Sequence, residues 1–356
     1  MIVVIGGGVV GLAIARAFAT ESRDVCVLER HGRLGTETST HNSGVIHAGL
    51  YYPPGSLKSS LCIEGREQLY RYCASANLPH VRCGKLIVGQ ADEEGELARI
   101  HKLATDAGAS LEPVDAAFVA AREPHVKASA ALWSPDTGWV EAEALIRALE
   151  AEIQRLDGIV LVGSPVIGIE SASDGARVVT PHERIEVELV VNAAGLFADE
   201  VSAMAGGEAF TIYPCRGEYA TLAPHARHLI RGLVYPVPHA AGHGLGTHFT
   251  RTIDGEVWLG PTVHYQDDKR DYEGGRAPVE SFLEPARALV PSLTLADLRL
   301  GGSGIRPKLH PASERFADFM IRRDSKQPWL IHAAGIESPG LTACLAIGDM
   351  VAELAR

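Results

Sequence analysis

Along this chain, short unbroken apolar runs alternate with stretches in which apolar residues recur every three or four positions. Ile2-Val3-Val4-Ile5 is too short for a helix and has no polar interruption, the pattern of a strand buried on both faces. Leu12 to Ala19 reads as a helix of small and apolar residues, and Val25-Cys26-Val27-Leu28 as a second buried strand. Leu57, Leu61, Gly65, Leu69, Tyr72 and Ala76 keep helical spacing and predict a helix of about five turns. Lys85 to Val88 reads as a strand, and 92–107 as a helix whose acidic start suits the helix dipole. Pro113, Pro124 and Pro135 interrupt the next stretch, so irregular structure is expected there. Leu145, Leu149, Ile153 and Leu156 mark one helical face that Gly158 ends, and Ile159 to Val162 is a strand. Turn signals at Asp174-Gly175 and Pro181 divide 166–191 into two or three strands, the last being Leu189-Val190-Val191.

From about 210 the texture changes. Strand-like runs at Glu218–Leu222, Gly232–Val237, Gly246–Thr250 and Glu256–Pro261 are separated by turns rich in Pro, Gly and His, which predicts an antiparallel sheet. Helices are expected at 281–290 and 295–300. From Gly304 the chain returns to the first texture. Trp329 to Gly335 is a strand running into glycine, and Ser338-Pro339-Gly340-Leu341-Thr342 opens a last apolar helix.

The sharpest signal lies between the first two strands. Gly6-x-Gly8-x-x-Gly11 follows a strand, opens a helix and reaches Glu29 at the end of the next strand. Such glycines give a tight turn, close backbone approach to a pyrophosphate and close helix–strand packing, while the acid accepts from a ribose hydroxyl. The helix start offers unpaired N–H groups to the phosphates. A dinucleotide is therefore expected. The fold class is α/β with α+β character in two domains: a Rossmann-like domain of 1–80, 139–205 and 303–356, and an inserted antiparallel-sheet substrate domain of 81–138 and 206–302.

Bulk properties narrow the partners. The 356 residues carry 33 basic and 44 acidic side chains, a net charge of −11, which argues against nucleic acid. No run reaches the length of a membrane span. A strand starting at residue 1 or 2 leaves no room for a leader, and the six cysteines form no C-x-x-C pair. The expected location is the cytoplasm, with peripheral attachment at the inner membrane allowed. No metal is expected, since His239 and His243 have metal-like spacing but no acid or cysteine nearby.

A nicotinamide dehydrogenase usually keeps its nucleotide domain in one block. Here three glycine-bearing turns, at 6–11, 194–195 and 335–342, come from separate parts of the chain, which favours one long flavin cofactor. Further motifs are Ser39-x-His41-Asn42-Ser43-Gly44-Val45-Ile46-His47-Ala48-Gly49, Tyr51-Tyr52, Ser56-Leu57-Lys58 and Cys83-Gly84-Lys85-Leu86-Ile87-Val88. Later come Pro214-x-Arg216-Gly217-x-Tyr219, Tyr235-Pro236-Val237-Pro238, Thr247-His248-Phe249-Thr250 and Trp258-Leu259-Gly260-Pro261. With these, the sequence resembles the FAD-dependent amino-acid-oxidase-like (DAO) superfamily, and within it the L-2-hydroxyglutarate dehydrogenases and oxidases. Residues 264–275 depart from the pattern, at a place that bears on substrate selection.

The resemblance implies FAD and oxidation of a small 2-hydroxy acid by base-assisted hydride transfer. A glycine- or sarcosine-type amine oxidase is the rival on the same fold. Gly6, Gly8 and Gly11 would hold the pyrophosphate and Glu29 the ribose. Thr40, Asn42, Ser43 and Val45 would run beside pyrophosphate and flavin, with backbone at Val166 meeting adenine. Gly195, Gly335, Gly340, Leu341 and Thr342 would complete the cofactor site, the last four near the flavin carbonyl unless they only cap a helix. Gly304-Ile305-Arg306-Pro307 resembles the superfamily's G-x-R-P segment, whose arginine pairs bidentately with the substrate carboxylate. Arg216 either adds a second cation for a dicarboxylate or braces the sheet; Tyr51 and Lys58 are weaker substrate candidates. His47 and His248 are the candidate bases. Cys344 reads as a buried helix cysteine rather than a covalent flavin link. The electron acceptor is an oxygen, a quinone or a carrier, which no motif decides.

Overall fold

The computed structural model describes residues 1–238 and 246–356. Its first sheet has six strands in the order Met320–Arg323, Leu330–Ala334, Leu189–Asn192, Ile2–Ile5, Val25–Leu28, Ile159–Leu161. All neighbours are parallel except the first pair. Residues alternate between the two faces of a strand, and here both faces are covered. Ile2, Val4, Val25, Val27, Leu189 and Val191 pack against helices Val9–Thr20, Leu57–Ser75, Ala142–Arg155 and Gly340–Leu354. Val3, Ile5, Cys26, Leu28 and Val190 pack instead against the antiparallel meander Gly168–Ala172, Gly175–Val179, Arg184–Val187. That double burial is why the sequence shows unbroken apolar runs.

The second sheet contains nine strands among the described residues. Eight run in the order His264–Tyr265, Tyr213–Leu222, Val257–Gly260, His248–Arg251, Leu233–Pro236, Lys85–Gly89, Ala130–Ser134, Glu112–Asp115, and Leu298–Lys308 pairs with Tyr213–Leu222. The pairs are antiparallel except Leu233–Pro236 with Lys85–Gly89, which is parallel. A small three-stranded sheet, Val45–Ile46, Gly138–Val140 and His80–Val81, lies apart from both.

Three expectations need correction. The region around Pro113, Pro124 and Pro135 is regular, with strand Glu112–Asp115, helix Ala116–Arg122 and strand Ala130–Ser134. Pro113 sits on the sheet's edge strand, where a missing N–H is tolerated, and Pro124 and Pro135 lie just past the ends of elements. Asp115 starts that helix, its side chain accepting from Phe118 N at 2.8 Å. Residues 295–300 form only a single 3-10 turn, Leu295–Asp297, closed by Asp297 accepting from Thr294 N at 2.8 Å. From Leu298 the chain is strand, with Leu298 buried and Arg299 and Leu300 exposed, so its first residues carry no alternation that would announce a strand. The chain thus stays in the second sheet to Lys308, through the boundary expected at 303. Among the described residues no helix is long and apolar enough to cross a membrane.

Candidate active site

A cavity of about 940 Å³ is lined by both large sheets and by the loop between Leu28 and Val45. At the glycine turn, Gly6 has a φ of +115°, and any side chain there would strike the Ala193 carbonyl. A side chain at Gly11 would strike the Gly6 carbonyl, so this glycine serves helix–strand packing and does not line the cavity. Gly8 starts the helix without a capping side chain of its own, and Ser39 Oγ reaches across to accept from Val9 N at 2.9 Å. Glu29 is buried; its carboxylate accepts from Gly7 N and His31 N, each at 2.8 Å, which fixes it at the cavity wall.

The loop then folds on its own side chains. Asn42 donates to Thr38 O at 3.1 Å and Ser39 O at 2.8 Å and accepts from Gly44 N at 2.8 Å. Thr40 is turned away and donates to Gly35 O. Asn42, Ser43, Val45, Val166, Gly195, Gly340 and Leu341 all line the cavity. Thr40, Gly335 and Thr342 do not. Thr342 is fully buried and clamps the loop instead, accepting from His47 N at 2.9 Å and donating to Val45 O at 3.4 Å. Gly335 has a φ of +66°, and a side chain there would strike Leu309.

His47, Tyr51, Lys58, His248 and Arg306 gather at the same cavity. His248 Nδ1 lies 2.8 Å from Gly246 O, so Nδ1 carries the proton and Nε2 keeps the lone pair. Its ring stacks on Tyr235 at 3.6 Å between centroids, which fixes its plane. Burial pushes its pKa down to about 3, outweighing the Gly246 hydrogen bond, and Lys85, His47 and Arg306 push the same way. His47 is lowered to about 3 as well, by burial and then by Lys85, although it is only partly enclosed. Its Nε2 is 3.2 Å from Ser338 Oγ. Both rings are therefore neutral near pH 7.

Arg306 donates to Thr262 O from both terminal nitrogens, each at 3.3 Å, and has no carboxylate partner among the described residues. Gly217 makes room for it: a Cβ there would lie 2.6 Å from an Arg306 nitrogen. Arg216 is the opposite case: of the two roles open to it, its surroundings fit bracing the sheet, which corrects its place among the substrate residues. Cys215 faces Arg306 across the pairing, so Arg216, one residue on, points to the other face. It is 2 % exposed, paired with Glu218 at 3.0 Å and Asp271 at 3.7 Å, and absent from the cavity wall.

Several residues escape the sequence reading. Lys85 is buried, with Nζ 4.9 Å from the centre of the Tyr51 ring and 4.3 Å from that of Tyr235, and burial lowers its pKa to about 7. A lysine opening an otherwise apolar strand is its signal. Glu337 lies between Lys58 at 2.9 Å and Lys308 at 2.7 Å. Burial would push its pKa up, but the two ammoniums outweigh that and hold it at about 2. Lys308 is legible as the residue two beyond Arg306 on the same strand face. Ser39 gives no signal of its own beyond its motif.

His239 and His243 lie outside the described residues. Among the described ones, Glu208, Asp324 and His332 bring ligand-type atoms together, away from the cavity. Asp324 is occupied by His332 Nε2 and by Glu208, Lys326 and Gln327 backbone N–H groups, which reads as turn stabilisation.

Residues 1–354 match the model of a family described as FAD dependent oxidoreductase, DAO. The mitochondrial L-2-hydroxyglutarate dehydrogenase of Arabidopsis thaliana is 35% identical over 98% of this chain and 82% of its own length. The human one is 30% identical over 99% of this chain and 88% of its own. Among solved structures, FAD-bound L-alpha-glycerophosphate oxidase from Mycoplasma pneumoniae superposes with a TM-score of 0.90 at 25% identity, covering 99% of this chain and 94% of that one. Glycine oxidase from Geobacillus kaustophilus shares the fold, with a TM-score of 0.84 at 22% identity over 99% and 93%.

Proposed function

This chain belongs to the DAO family of FAD-dependent oxidoreductases, and from that premise we propose that it oxidises L-2-hydroxyglutarate, or a close relative, to the 2-oxo acid. The residues fit the cofactor: a helix start behind a glycine turn with no cap from its own Gly8, a buried acid oriented at the next strand end, and a cavity continuing to two histidines. Gly6 and Gly8 hold the pyrophosphate, Glu29 the ribose, and the Val166 backbone the adenine. Asn42, Ser43 and Val45 run beside the cofactor, as do Gly195, Gly340 and Leu341. Gly11, Thr40, Gly335 and Thr342 act one layer back, by shaping the turn, loop and helix that make contact. Bound FAD supplies the hydride acceptor.

The observation that carries the reaction is the pairing, on one cavity, of a neutral imidazole with a guanidinium free of carboxylates. Arg306 takes the substrate carboxylate in its planar fork. His248 takes the hydroxyl proton at Nε2, the nitrogen left unprotonated by the Gly246 hydrogen bond. The Tyr235 stack holds that lone pair in one direction. His47, tied to Ser338 and Thr342, is placed as the supporting histidine. Tyr51 closes the wall beside it, its hydroxyl buried without a hydrogen-bond partner among the described residues and so available to a substrate oxygen.

Anaerobic addition of substrate to the yellow holoprotein tests this. Bleaching by L-2-hydroxyglutarate is expected; bleaching only by amines or amino acids would establish the rival amine oxidase instead. Rates of reoxidation by oxygen, a quinone analogue and a soluble carrier then identify the acceptor. A cytoplasmic location is part of the proposal, supported by six free cysteines, whereas the Arabidopsis and human relatives are mitochondrial proteins.

A further inference from the structure

Lys58, Glu337 and Lys308 form a cluster on the cavity wall that the proposed chemistry leaves unused. Their side chains are only 5%, 8% and 9% exposed. An ammonium has three donors, and among the described residues each lysine has one carboxylate contact, both to Glu337. Among the described residues the two buried lysines face one carboxylate, leaving one positive charge uncompensated, and the half-buried Arg306 adds another cation on the same cavity. Burying charge in that state is unfavourable unless another anion completes it. Lys308 stands two residues from Arg306 on strand Leu298–Lys308, so both side chains leave the same face, about 6.6 Å apart along the strand. Two cationic side chains on one strand face suit a substrate with a carboxylate at each end.

We propose that Lys308 and Lys58, held in place by Glu337, form a second anion subsite that takes the far carboxylate of the substrate while Arg306 takes the one beside the hydroxyl. The selection of a diacid over a monoacid is thus made by a cluster the glycine and histidine motifs do not announce. Glu337 has two roles in it. It holds both ammoniums at one depth, and it limits their attraction for any single anion. The inference rests on the 2-hydroxy-acid reading above, and it adds chain length and charge to it.

The test compares L-2-hydroxyglutarate with L-2-hydroxyvalerate, which ends in methyl where the diacid has a carboxylate. The native holoprotein should favour the diacid by roughly a hundredfold or more in kcat/KM, because a site built for a polar group rejects the analogue lacking it. Lys308→Gln should lower kcat/KM for the diacid by at least about tenfold, mainly through KM, and leave the monoacid within about threefold. A second readout needs no turnover: glutarate should perturb the flavin spectrum with a Kd that Lys308→Gln raises and Glu337→Gln lowers, and it should bind better than succinate or adipate. Flavin content shows that each variant is folded. Equal handling of the two hydroxy acids by the native protein would overturn the subsite while leaving 2-hydroxy-acid oxidation standing. So would an equal loss on both substrates in a Lys308→Gln protein that keeps its flavin. No bleaching by any hydroxy acid would remove the broader reading, and this one with it.

Discussion

The two ends of the cavity are built in different ways. The end proposed to hold the nucleotide is made largely of backbone: Gly6, Gly8, a helix start, and an acid pinned by main-chain N–H groups, all within residues 2–31. The end proposed to react is made of side chains from distant segments: His47 from a loop, His248 and Arg306 from two strands of the second sheet, and Lys58 and Glu337 from a helix and a loop. A site made of backbone tolerates almost no change of shape. A site made of side chains tolerates changes of shape and depends on charge and protonation. Substitutions at the two ends should therefore fail differently, one by losing cofactor and the other by losing rate.

The largest effect is expected at the reacting end. His248→Ala should slow anaerobic flavin reduction by about 10²–10⁴-fold, the usual contribution of a positioned base, with flavin content unchanged. His47→Ala should cost less, and stopped-flow reduction of the two variants side by side decides between them. If His47→Ala proves the slower, the base is His47 and the Gly246 contact is structural.

Gly11→Ala probes the other end and should fail in the other way. Its methyl group meets the Gly6 carbonyl, so the glycine turn must shift, at a cost of about 1–3 kcal/mol by the usual scale of overpacking. The protein should melt earlier and purify with substoichiometric flavin, while the molecules that keep flavin reduce it at the normal rate. A full flavin complement with an unchanged melting temperature would mean that the turn is looser than its geometry indicates.

The smallest effect concerns Lys85. Burial lowers its pKa from 10.5 to about 7 in the folded state. Between those values the unfolded chain binds the proton and the folded one does not, so this group adds stability as pH rises from about 7 toward 10.5 until the contrast is lost, and below about 7 both states are protonated and the cost of burying the ammonium is felt in full; the sign is tested through a neutral replacement. The unfolded state binding more protons over that window means that native stability falls on the acid side of it. Lys85→Met should accordingly raise the melting temperature most at low pH, with the gain shrinking as pH rises. A pH-independent difference would show that Lys85 acts through packing alone.

Much of the first sheet is legible in the sequence because its strands are buried on both faces and therefore uninterrupted. The second sheet is less so. Its Pro-containing edge reads as irregular, and the strand Leu298–Lys308 reads as helix over its first residues and as a return to the other domain over its last. Pairing with Tyr213–Leu222 over almost its whole length decides that strand, and a partner some ninety residues away leaves no local mark. The same pairing separates the two arginines. Arg216 and Arg306 each sit in a distinctive motif, yet register sends one to a buried ion pair and the other to the cavity.

What the sequence determined by itself was the part of the protein made locally: a strand, a glycine turn, a helix and an acid, in an order that only a dinucleotide requires. It also supplied the family motifs that made a flavin the expected cofactor. The tertiary structure decided which nitrogen of His248 carries the proton, which arginine has no carboxylate partner among the described residues, and that Lys308 and Lys58 share one buried carboxylate. The physical reason is that backbone geometry follows from neighbouring residues, whereas burial, charge balance and protonation are properties of side chains brought together from far apart.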